Sequence, residues 1–146
     1  MKRKILPLLC AAALAMSLLA GCGSNEATKD VVLSSITGAI QSTQKSQGSY
    51  TDHSISDLKT KYDIDSGDVK QFVAKENQES GVEIVMIEAT SDDAANRIEE
   101  KFRNYRDLFS VSDLDSIVKH GNYVALFVGA DHAKMAAAFD GFVVAE

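Results

Sequence analysis

Two short segments constrain this chain more than anything else in it. In Val82–Ala89, Val82, Ile84 and Met86 alternate with Glu83, Val85 and Ile87. In Tyr123–Gly129, Val124, Leu126 and Val128 alternate with Tyr123, Ala125 and Phe127. A period of two with apolar residues on both sides predicts interior strands of a sheet. Val69–Ala74 predicts a further strand, joined to Val82–Ala89 through a turn at Glu79-Ser80-Gly81. Leu114–His120 and Tyr123–Gly129 flank Gly121-Asn122, a two-residue connection suited to a hairpin.

The helical signal lies between and around these strands. After Ser91, the residues Ala95, Ile98, Phe102, Tyr105 and Phe109 recur at steps of three and four, one continuous apolar stripe. Asp93–Arg97 and Glu99–Arg103 are i,i+4 pairs on its outer side. Lys29–Gln44 carries Val32, Ile36, Ala39 and Ile40 at helical spacing, with Thr28 as a candidate cap. Ser56 is placed to cap a short helix through Leu58 to Tyr62, and Asp131 one that runs to Phe139. The expected fold class is α+β: a mainly antiparallel sheet of three to five strands with two helices on one face, preceded by an N-terminal helix. A strand at Phe142–Ala145 would make it ferredoxin-like.

The N-terminus has a different character. Lys2-Arg3-Lys4 precede an apolar run from Ile5 to Ala20, broken only by Pro7 and Ser17. Sixteen helical residues reach roughly 24 Å, short of the ~30 Å hydrocarbon core, so export and cleavage fit better than a permanent span. Leu19-Ala20-Gly21-Cys22 resembles the lipobox of bacterial lipoproteins. That resemblance implies diacylglycerol on the Cys22 sulfur and cleavage between Gly21 and Cys22. The expected division is a signal peptide over 1–21, a lipid-anchored tether over 22–28, a helix and linker over 29–56, and an α+β domain over 57–146. The expected location is the outer face of the cell membrane, held by acyl chains such as palmitate.

Of 146 residues, 15 are Lys or Arg and 21 are Asp or Glu. Removing the leader with its three basic residues leaves a net charge of −9 and no proline. A chain so acidic, without a basic run, is not built for nucleic acid. Cys22 is the one cysteine left, so no disulfide can form within the mature chain.

A second resemblance rests on the lipobox, Tyr62-Asp-Ile-Asp, Asp68-Val69, Ile87-Glu88-Ala89, Phe102 with Tyr105, Lys119-His-Gly-Asn-Tyr-Val124 and Asp131 with Phe139. The series resembles the Gram-positive lipoproteins that carry the domain of unknown function numbered 4358, over about residues 57 to 140. Where that family has prolines in the loops around the charged helix, this chain has none. The resemblance implies an extracytoplasmic α+β domain and no activity.

The chemistry of the mature residues is sparse. A nucleophile needs an oriented base beside it, and no Gly-x-Ser-x-Gly elbow occurs. His53, His120 and His132 lack the i,i+2 or i,i+4 spacing of a ligand pair, and Asp63, Asp65 and Asp68 lack the frame of a calcium loop. The expectation is a protein without catalytic residues, metal or cofactor. It would act as an accessory or protein-binding module whose partners are the membrane, through Cys22, and another envelope protein. Exposed aromatic and Arg side chains centre many interfaces, which nominates Tyr50, Arg103 and Arg106. The alternative reading is a solute- or cation-binding lipoprotein.

Overall fold

The computed structural model describes residues 27–45, 48–109 and 113–146. In chain order the elements are α1 (Leu33–Ser42), β1 (Thr51–Asp52), α2 (Ile55–Tyr62), β2 (Val69–Asn77), β3 (Val82–Ala89), α3 (Asp92–Phe109), β4 (Asp115–His120), β5 (Tyr123–Val128) and α4 (His132–Val143). A single 3-10 turn at Ser66–Asp68 leads into β2. The strands form one five-stranded sheet in the order β1-β2-β3-β5-β4, antiparallel throughout. The fold is thus α+β with an N-terminal helix, as the periodicity predicts. The signal peptide, the lipobox and Cys22 lie outside the described residues.

Every residue of β3 and of β5 is buried. The two faces carry separate cores. Val85, Ile87, Val124, Leu126 and Val128 meet Leu58 and Tyr62 of α2 and Ile98 and Phe102 of α3. Val82, Ile84, Met86, Ala125 and Phe127 meet Leu33, Ile36 and Ile40 of α1 and Met135 and Phe139 of α4. The two long helices therefore sit on opposite faces, not together on one. A strand apolar on both sides exposes oil on whichever face lacks a helix, so α3 and α4 must divide the work.

The ferredoxin-like arrangement does not form. β3 and β4 run the same way with β5 between them, and α3 crosses from one to the other. That half would suit it, but α4 packs on the far face. Phe142 and Val143 end α4, and Val144 makes a single bridge to Thr28.

Several helix starts differ from the sequence signals. α1 begins at Leu33 because Lys29 to Val32 are drawn out by distant partners. The Lys29 N–H donates to Val143 O at 2.8 Å and the Val31 N–H to the Tyr123 hydroxyl at 2.9 Å. Thr28 is thereby committed to its bridge with Val144 and caps nothing. Ser54, not Ser56, caps α2, in a reciprocal box with Asp57. Asp131 does not cap α4 with its side chain. Its carboxylate takes the Lys134 ammonium at 2.9 Å and the Lys45 N–H at 3.2 Å. The hairpin connection is as expected, with Gly121 at φ 54°, the first central position that a II′ turn reserves for glycine.

Candidate functional site

The densest polar chemistry lies on the α2–α3 face. Glu83 of β3 points among apolar neighbours and is almost fully buried. It accepts from the Tyr62 hydroxyl at 2.8 Å, the Tyr105 hydroxyl at 2.8 Å and the Lys61 ammonium at 3.0 Å. Lys61 also reaches Glu76 at 3.1 Å, and Glu76 meets His53 Nε2 at 3.0 Å. Burial, then the adjacent Glu83 charge, pushes both tyrosines well above the ordinary phenol range. Burial also pushes Glu76 up, but Lys61 and His53 outweigh it and hold the carboxyl below its usual value. Both tyrosines are thereby kept as neutral donors, and each Glu83 oxygen is already engaged. The network braces α2 and α3 against the hairpin of β2 and β3.

A cleft of about 450 Å³ opens beside this network, between α2 and the C-terminal half of α3. Tyr62 and Tyr105 pack edge-on at 4.8 Å, and Tyr105 lies 4.7 Å from Phe109 at a tilt. Together they wall the cleft, with Lys61, Lys101 and Asn104 at its rim. The apolar stripe of α3 stays buried through Tyr105 and then emerges. Leu108 is 79% exposed and Phe109 60% exposed. Phe109 is the last residue of the apolar stripe read from the sequence. The last turn of α3 directs Arg106 toward Asp115 of β4 and leaves Leu108 and Phe109 facing outward.

A second cleft of about 540 Å³ lies at the β1–β2 edge of the sheet. It runs between the Thr37, Gly38 and Gln41 side of α1 and the outer edge of β2 at Phe72 to Lys75.

The three residues expected to contact a partner are dispersed. Tyr50 packs its ring against the α1–α4 core, with its hydroxyl buried and unbonded. Burial pushes that phenol up. Arg103 is exposed and donates to Glu99 at 2.7 Å. Arg106 turns inward, and its Nη1 lies 3.8 Å from Asp115, whose side chain is 1% exposed. Neither Asp115 oxygen has a hydrogen bond, nor has Arg106 Nε. Burial, against the weaker pull of Arg106, pushes the Asp115 carboxyl up. No sequence pattern could single out Asp115, because its burial comes from α3 closing over the start of β4.

The acidic turn is fully engaged by cations. Lys59 meets Asp63 at 2.8 Å and Asp65 at 2.9 Å, Lys101 also meets Asp63, and Arg97 grips Asp68 with two bonds of 2.6 and 3.0 Å. Arg97 therefore pairs with Asp68, not with Asp93 along its own helix. Among the described residues no three His, Cys, Asp or Glu side chains gather to hold a metal.

His120 Nε2 meets Asp140 at 2.8 Å, and His132 Nδ1 meets Ser116 Oγ at 2.7 Å. The Ser116–His132 contact has the length of a nucleophile–base pair, and the 16-residue separation hides it from the sequence. Neither residue lines either cleft. No helix among the described residues is long and apolar enough to cross a membrane. No family model, no curated protein and no solved structure matches this chain.

Proposed function

We propose that this chain is a lipid-anchored extracytoplasmic module that works by contact with another envelope protein and not by chemistry. The observation that carries this reading is the end of α3. Leu108 and Phe109 stand exposed beside an aromatic-walled cleft rimmed by Lys61, Lys101 and Asn104. Apolar anchors over a pocket with a polar rim are the usual centre of a protein interface. The Leu19–Cys22 lipobox supports placement on the membrane, where two acyl chains anchor stably. The resemblance to the domain numbered 4358 supports the same address.

Solute binding is the second reading, and the same cleft favours it, since its volume lies within the range of small-molecule sites. Cation binding has less support, because Asp63, Asp65 and Asp68 are already paired with Lys and Arg. The test is a photo-crosslinking residue placed at Leu108 in the living cell, with the same probe at exposed Glu100 as control. A discrete protein adduct from position 108, absent from position 100 and lost in Phe109→Ser, is the expected result. Adducts at neither position, with a small solute raising the melting temperature instead, would establish the second reading.

A further inference from the structure

The outer edge of β2 is only partly used. β1 pairs Thr51 with Glu76 and Asp52 with Lys75 and then ends. The His53 N–H adds one more bond, to Ala74 O at 2.9 Å, before Ser54 begins α2. That bond shows that the Ala74 carbonyl faces away from β3. Backbone groups alternate sides along an antiparallel strand, so the Phe72 N–H and C=O face outward too, beyond the point where His53 covers the buried Ala74. Among the described residues neither of these two Phe72 groups is hydrogen-bonded to another part of the chain. They line the floor of the 540 Å³ cleft, whose wall is the Thr37, Gly38 and Gln41 side of α1. A Cβ built at Gly38 would meet nothing within 4 Å, so the wall is open there.

We infer that this edge receives an extended peptide segment from an unlike polypeptide, added to the sheet as a strand beyond the end of β1. Unpaired main-chain donors and acceptors beside a helix-walled groove recognise an extended backbone, with side-chain pockets setting the preference. A residue opposite Phe72 shares its face and packs on its ring. The residues on either side of it point under α1 into the space left by Gly38.

The occupant is not a second copy of this chain. Twofold pairing centred on Phe72 sets Lys70 opposite Ala74 of the other copy and Val69 opposite its Lys75. Those places are already held by His53 and Asp52. Two chains of charge −9 also repel each other. A narrow segment of neutral or basic character avoids both obstacles. The register shift between Val69 and Gln71 blunts the far end of the edge, so the window is short and its register defined.

The inference stands apart from the α2–α3 cleft and is tested separately. The mature lipoprotein in detergent micelles would be panned against a phage-displayed random hexapeptide library. Selected peptides are expected to slow hydrogen exchange across residues 69–76. Methylating alternate backbone nitrogens of a selected peptide should weaken binding at least tenfold, while methylating the intervening ones should not. Gly38→Leu should cost at least tenfold in affinity with the melting temperature equal or higher, because it fills the groove and replaces a helical glycine. No selected peptide, protection confined to α2 and α3, affinity unmoved by Gly38→Leu, or a concentration-dependent dimer that itself protects 69–76 would each overturn the inference.

Discussion

At the scale of single residues, Glu83 and Asp115 are two buried carboxylates with opposite circumstances. Glu83 accepts two phenols and an ammonium, so its charge is compensated where it sits. Glu83→Gln keeps an acceptor for one tyrosine but removes the partner of Lys61, and is expected to cost about 1–3 kcal/mol in urea unfolding. Asp115 has a cation at 3.8 Å and no hydrogen bond. Its raised pKa means that the folded state binds its proton more tightly than the unfolded state does. Its favourable contribution is therefore complete below the ordinary carboxylate pKa near 4 and is lost as pH rises through the folded value. Asp115→Asn should stabilise the protein at pH 7, and that gain should vanish near pH 3. A gain that grows on acidification would show that Arg106 outweighs burial.

At the scale of elements, α3 is where the apolar period and the packing part company. Ala95, Ile98, Phe102 and Tyr105 lie over β3 and β5, while Phe109 continues the same stripe into solvent. Phe102→Ala, at a fully buried position, is expected to cost about 3–5 kcal/mol. Phe109→Ala should cost within about 0.5 kcal/mol, as exposed substitutions do. Thermal or urea unfolding of the two variants side by side checks both values, and equal losses would mean that the last turn of α3 is packed. The stripe was legible in the sequence because helical periodicity is a local property. Its emergence was not, because exposure depends on which distant segments pack against the end of the helix. The two interior strands were legible for the same local reason, and the cross-strand pairs Val85–Leu126 and Ile87–Val124 confirm their shared face.

At the scale of the whole molecule, helices cover both faces of the sheet, while β2 runs on past the two residues of β1 that pair with it. The single bridge of Thr28 with Val144 and the bond from the Ala145 N–H to Ala27 O at 2.9 Å tie the start of the described domain to its end. The proposed anchor would thus enter the domain next to the Gly121 turn, where Thr28 lies 3.3 Å from the Cβ position of that glycine. Cys22→Ser is expected to leave an uncleaved precursor or release the protein from the membrane fraction. Intact-mass analysis of the wild type should show a chain that begins at acylated Cys22, and a mature chain that starts elsewhere would refute the lipid anchor.

The interior strands, the long charged helix and the Gly121-Asn122 hairpin were determined by the sequence alone, since each rests on a period or a turn preference spanning a few residues. Only the tertiary structure decided that α4 crosses to the far face, that Tyr50 and Arg106 turn inward, that Ser116 meets His132, and that β2 keeps an open edge beside Gly38. Each of these is a contact, or the lack of one, between segments far apart in the chain. Local spacing carries no information about which distant surface will arrive to bury a side chain or pair a backbone group.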